Sequence, residues 1–275
     1  MKKIFYSILI FLLILLNFST VCADDVDNEV DFEDTIEVTA SNVSELPKTN
    51  SRRYIVYDRI SKSMIIGKNE DVKSAMASTT KIMTTIVILE EADLNEKVTV
   101  SAKAGGTGGS RLGLKRGDKA SVRDLLYGLM LRSGNDAAVA LAEHVGGSVK
   151  GFAELMNEKA IELGLTNTHF VTPHGLDDAN HYTTALELAK LTDYAMDNET
   201  FAKIVGTKST TIYINNQSRQ INNTNELLGV LNGVVGVKTG FTNNAGRCLV
   251  TETKRNNMDI ITIVLGADTK KDRTK

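Results

Sequence analysis

Apolar positions along the chain fall into three regimes. Residues 53–58 and 63–67 are short runs rich in β-branched residues, separated by "RISK", the pattern of a β-hairpin. From residue 82 the spacing changes. Ile82, Met83, Ile86, Val87 and Leu89 recur at helical intervals and predict an amphipathic helix. Ser121 opens a second helical stretch as a capping residue ahead of "LLYGLML". Another helix is expected over about 136–144, ending at Gly146-Gly147. The next opens near Ser148 and ends by Gly164, with Phe152, Leu155, Met156 and Leu163 on one face, and a last one follows Thr183. Beyond residue 208 alternation takes over. Strands are predicted over 209–214, 219–222, 234–240, 247–253 and 259–265, with a turn at Asn256-Asn257. Strands at both ends with helices between imply a single α+β domain, whose sheet joins the N-terminal hairpin to the C-terminal strands. Gly105–Gly109 lacks the Gly-Lys-Ser/Thr ending of a phosphate loop and is read as a plain flexible loop.

The N-terminal end follows different rules. Lys2 and Lys3 precede an apolar run, Ile4 to Leu16, and Val21 and Ala23 suit a signal-peptidase site. Residues 1–23 are therefore expected to be a leader and the protein to be exported, in preference to a retained anchor or a lipoprotein attached at Cys22. Residues 24–38 hold eight acidic residues and no basic one. Such a block repels itself, so 24–50 are read as a solvated, disordered linker and 51–275 as the folded domain.

Composition narrows the function. The chain has 275 residues, enough for a large core, and 32 basic against 34 acidic residues. That balance gives no basic excess for nucleic acid. Loss of Lys2 and Lys3 takes the net charge from −2 to −4, as 30 minus 34. Loss of Cys22 leaves Cys248, in the strand-like "GRCLVTE", as a packing residue with no disulfide partner. His144, His169, His174 and His181 have no metal-binding spacing, so no metal or cofactor is expected; His174, in "TPHGLDD", is placed in a loop near the cleft.

Chemistry is concentrated in three short segments. Ser78 and Lys81 stand at i and i+3, on one face of a helix. A protonated lysine cannot take the serine proton, but burial or a neighbouring cation would lower its pKa and make it a base. Backbone N–H groups at a helix start also favour a developing oxyanion. Ser133-Gly134-Asn135, in "LRSGNDAA", puts a hydroxyl and an amide on a tight turn between two predicted helices. Lys238-Thr239-Gly240 lies on a strand able to pair with a peptide, with Gly240 leaving room for close approach. Each element alone is weak. Their combination, in this order, is specific.

Taken together, the sequence resembles the serine-type D-alanyl-D-alanine carboxypeptidases, low-molecular-weight penicillin-binding proteins. The likeness runs from about Tyr54 to Arg273, through "ASTTKIMT", "LRSGNDAAVALAEHVGG", "TPHGLDDANHYTTALELAKL", "GVKTGFTNNAGRCLV" and "VLGADTKKDR". It implies a penicillin-binding/β-lactamase-like transpeptidase fold. It implies that Ser78 forms an acyl-enzyme, Lys81 accepts its proton, and Ser133 and Asn135 complete the relay and contact the substrate amide. It further implies that Lys238 acts electrostatically on substrate and on Lys81. The Ser78 and Phe241 N–H groups would form an oxyanion hole, beside Gly240, and Thr239 and Arg273 would hold the substrate carboxylate. The implied substrate is a peptidoglycan stem peptide ending in D-Ala-D-Ala, with β-lactams as inhibitors.

Two features depart from the pattern. Phe241 follows Lys-Thr-Gly where some relatives have histidine. The family fold continues past this arginine with a helix on the sheet, and many members add a second domain and a membrane anchor, whereas this sequence stops at Lys275; a C-terminally truncated domain without that helix is expected. The rivals are a class A-like β-lactamase, for which Glu154 in "ELMN" mimics the deacylating glutamate, and a catalytically silent stem-peptide-binding protein.

Overall fold

The computed structural model describes residues 49–274. The leader and nearly all of the acidic linker expected over 1–50 lie outside the described residues. The hairpin opens the domain as β1 (Ser51–Asp58) and β2 (Ser63–Lys68). The closing strands are β7 (Val234–Thr242), β8 (Gly246–Arg255) and β9 (Met258–Ala267). They form one antiparallel sheet in the order β2-β1-β9-β8-β7, which unites the two ends of the domain. The β8–β9 turn is Asn256-Asn257, both at positive φ (52° and 61°), a conformation that asparagine tolerates well.

Between these ends lie the helices. Residues Ala77–Thr80 form a 3-10 turn that leads into α1 (Lys81–Glu91). Then come α2 (Ala102–Gly106), α3 (Val122–Leu131), α4 (Asn135–Gly146) and α5 (Val149–Glu162). The series continues with α6 (Ala185–Met196), α7 (Glu199–Val205) and α8 (Lys270–Thr274). Three starts read from the sequence carry side-chain caps: Ser121 accepts from Asp124 N, Ser148 from Gly151 N, and Thr184 from Glu187 N.

The structure corrects the sequence reading in four places. Ser78 sits in the 3-10 turn, one step before the α-helix. Helix α1 is buried from Lys81 to Ile88 and has no solvent face over that length. Its threonines are tolerated there because Thr84 donates to Pro173 O (2.7 Å) and Thr85 to Lys81 O (2.7 Å). Part of the expected glycine loop is helical, α2, capped by Ser101. The strands near 209–222, β5 (Ser209–Ile214) and β6 (Gln217–Asn222), do not join the main sheet. They pair with two three-residue strands, β3 (Lys97–Thr99) and β4 (Lys119–Ser121), in a second sheet ordered β3-β4-β5-β6. Strand pattern carries no information about the partner, and three residues are too few for a period-2 signal.

One face of the main sheet packs on the helices in a large core that includes Ile55, Val250, Cys248 and Ile263. Leu227 and Leu228 pack with Tyr54, Leu249 and Val264 in a second, smaller cluster. At the C-terminal end of the described residues the short helix α8, which carries Arg273, packs against β8 and β9. Away from the cleft, buried Arg59 ties the β1–β2 hairpin to α6 and to the β8–β9 hairpin. Its guanidinium donates to Asp193 (2.9 Å), Asp197 (2.6 Å), Glu252 (2.6 Å) and Asp259 (3.1 Å).

Candidate active site

A cleft of about 730 Å³ opens where the 3-10 turn, the α3–α4 connection, β7 and α8 meet. Seven of the nine residues singled out from the sequence line it: Ser78, Ser133, Asn135, Thr239, Gly240, Phe241 and Arg273. The other two, Lys81 and Lys238, are fully buried behind this lining.

Lys81 Nζ lies 2.8 Å from each of Ser78 Oγ, Asn135 Oδ1 and the His174 carbonyl oxygen. Two of those partners can only accept. A neutral amine would spend both its protons on them, and its lone pair would then face the Ser78 hydroxyl. Burial, followed by the charge of Lys238, holds the Lys81 pKa well below the ordinary lysine value. Lys238 donates to Thr239 O (3.0 Å), and burial followed by Arg273 lowers its own pKa to about 7. Lys238 thus lies beneath the cleft lining, close enough for its charge to bear on Lys81.

Ser133 occupies the left-handed region (φ 57°), an uncommon state for a residue with a β-carbon, at the tight turn before α4. Asn135 is committed on both sides. Its Oδ1 accepts from Lys81, and its Nδ2 donates to Gly108 O (2.8 Å). It therefore clamps the lysine to the 108–110 loop as well as lining the cleft. Gly240 passes so close to the nucleophile turn that a β-carbon there would stand 3.0 Å from Ser78 N. Phe241 is partly exposed, with the Arg247 guanidinium 5.0 Å from its ring centroid.

At one end of the cleft, Arg273 and Lys270 come from one face of α8 and are both buried. Lys270 lies 3.7 Å from Glu226, and the Thr239 and Thr224 hydroxyls are 3.1 Å apart. This end is cationic and hydroxyl-rich, suited to a carboxylate.

Several residues that shape the cleft had no signal in the sequence. Asp136 is fully buried, and its carboxylate accepts from the backbone N–H groups of Leu112 (2.8 Å), Gly113 (2.7 Å) and Leu114 (2.9 Å). An aspartate beside a helix start reads as a local cap, yet this one organises a distant loop. Asp177 accepts from the Thr242 hydroxyl (2.6 Å) and Asn244 N (3.3 Å), linking the 174–178 loop to the β7–β8 turn. His174 lines the cleft, as expected, with its pKa lowered to about 3 by burial and then by Lys81. Cys248 is fully buried in the core. Glu154, the mimic of a deacylating glutamate, is exposed on α5, 3.9 Å from Lys150, and does not line the cleft.

A buried lysine against a serine at the mouth of the cleft, with a second buried lysine on the flanking strand, is an arrangement suited to serine–lysine acyl transfer. The D-alanyl-D-alanine carboxypeptidase family model, Peptidase_S11, matches residues 39–269, and the chain belongs to that family. It is 38% identical over 225 residues to D-alanyl-D-alanine carboxypeptidase DacF of Bacillus subtilis, covering 80% of this chain and 58% of the relative. It is 39% identical over 254 residues to DacC of Escherichia coli, covering 84% and 60%. The chain thus spans about three fifths of the length of these relatives. The crystal structure of the Streptomyces K15 DD-transpeptidase superposes with a TM-score of 0.77 at 35% identity, covering 82% of this chain and 94% of that one. The fold is that of the penicillin-binding transpeptidases.

Proposed function

We propose that this protein is an exported serine DD-carboxypeptidase that removes the terminal D-alanine from peptidoglycan stem peptides. The observation that carries the reading is the position of Lys81, buried and depressed in pKa, with Ser78 Oγ 2.8 Å from its nitrogen. Ser78 Oγ attacks the carbonyl carbon of the D-Ala-D-Ala bond while Lys81 takes its proton. The Ser78 and Phe241 N–H groups hold the oxyanion. The C–N bond then breaks, the proton passes through Ser133 to the departing amine, and an ester to Ser78 remains. Water, deprotonated by the same base, hydrolyses it. Thr239 and Arg273 receive the substrate carboxylate, and β-lactams acylate Ser78 in its place. Export rests on the leader-like residues 1–23 and on the extracytoplasmic location of such a substrate.

Incubation with a peptide ending in D-Ala-D-Ala tests the reading. Release of D-alanine that disappears in Ser78→Ala is expected. Stoichiometric binding of the peptide without release would favour a silent binding protein, and rapid turnover of penicillin without release of D-alanine would favour the lactamase.

A further inference from the structure

The peptide unit between Ala77 and Ser78 is held from behind by a buried hydrogen-bond chain. His181 Nδ1 accepts from the backbone N–H of Val171 (3.0 Å), so in the neutral ring the proton resides on Nε2. Nε2 lies 2.8 Å from Thr80 Oγ1, which must therefore accept from it. The Thr80 hydroxyl then donates to Ala77 O (2.7 Å). All of these side chains are buried, and the His181 ring packs edge-on against Phe170. Burial, the largest influence on the imidazole, lowers its pKa to about 4, which keeps the ring neutral at ordinary pH. Gly175 closes the space from another side, since a β-carbon there would collide with Ala77 O and Thr80 Oγ1.

Ala77 O and Ser78 N belong to one planar peptide group, with C=O and N–H pointing in opposite directions. A donor on that carbonyl fixes the plane and so aims the Ser78 N–H. It also draws electron density towards the oxygen and makes the N–H a stronger donor, as hydrogen bonds in chains reinforce one another. Ala77 needs such a hold: its φ is 48°, unusual for a residue with a β-carbon.

We propose that His181 and Thr80, which meet across 101 residues of sequence, are positioning residues that aim and polarise the Ser78 N–H for the oxyanion. The inference rests on the acyl-transfer reading given above. Neither side chain touches the substrate.

The test compares the parent protein with Thr80→Val, Thr80→Ser, His181→Ala and His181→Gln. Two quantities are read: the rate of acylation by penicillin and the infrared ester-carbonyl band of the acyl-enzyme. Thr80→Val keeps the shape and loses the relay. It should acylate about 10-fold more slowly or worse, less than the 10²–10³ lost when an oxyanion donor is removed outright. Its ester band should move to higher wavenumber, because a weaker oxyanion hole polarises the carbonyl less. Thr80→Ser should recover most of the rate and the parental band. His181→Gln, which can keep a donor at the same place, should lie nearer the parent than His181→Ala. If Thr80→Val does not fold, the two His181 variants give the same comparison. A folded Thr80→Val or His181→Ala with a rate within twofold of the parent and an unshifted band overturns the proposal. A parent protein that is not acylated at all overturns the acyl-transfer reading and this inference with it.

Discussion

Gly240 runs alongside Ser78 with no room for a side chain: a β-carbon at 240 would lie 3.0 Å from Ser78 N and 3.2 Å from the Ala77 β-carbon. The strand that flanks the cleft and the turn that carries the serine are therefore mutually positioned by a missing side chain. Gly240→Ala should push them apart by a few tenths of an ångström. Acylation by penicillin should fall about 10- to 100-fold, the scale expected for small misplacements at a reacting centre. The thermal midpoint should change little, and stopped-flow acylation set beside a melting curve checks both.

Lys238 is predicted to set the pH range over which Lys81 works. Its positive charge favours the neutral form of Lys81, so Lys238→Gln should let the Lys81 pKa rise. The acid limb of the acylation profile should then shift to higher pH. The maximal rate should fall about 10²-fold through loss of electrostatic stabilisation. The parent should also lose rate above pH 7, as Lys238, with a pKa near 7, gives up its charge, and the variant should lack that limb. A pH series of acylation rates separates the two effects.

Asp136 should prove structural for the cleft without taking part in the chemistry. Asp136→Ala leaves the backbone N–H groups of Leu112, Gly113 and Leu114, those of Leu112 and Leu114 buried, without their acceptor. A loss of roughly 3 kcal/mol of stability is expected, measured by urea unfolding. In preparations kept folded at low temperature, the acylation rate should suffer less than in Gly240→Ala.

The two buried histidines predict a loss of stability in mild acid. His174 and His181 titrate near 3 and 4 in the folded protein, below the ordinary histidine value of 6.5. Between these values the unfolded chain binds protons that the native state excludes, so stability is complete above pH 6.5 and declines as pH falls. For His181 alone the loss by pH 4 should be on the order of 3 kcal/mol. The pH dependence of the unfolding free energy should be visibly flatter in His181→Gln than in the parent.

Most of the framework was legible because it is local. Hydrophobic period, Ser121 as a cap, the helix start near Ser148 and the Asn256-Asn257 turn place helices and strands without reference to the rest of the chain. Ser78 and Lys81 were legible for the same reason, since i and i+3 meet on any helical turn. What depends on long-range pairing was not. Ala120 against Ile214 is the register that links β4 to β5, and nothing near either residue announces it. Arg273, one cation among several at the end of the chain, was distinguished by family likeness alone; Lys270, buried beside it, had no such signal. The polar supports were also silent, because Asp136, Asp177 and His181 act on loops far along the chain.

The account stands or falls on Ser78 as the acylated residue. Intact mass followed over time after mixing with penicillin, with peptide mapping and a Ser78→Ala control, tests it most directly. The expected result is a persistent penicilloyl adduct, one per chain, on the peptide containing Ser78 and absent from the variant. A folded protein that gains no adduct and consumes no penicillin, or an adduct that survives Ser78→Ala, would contradict it.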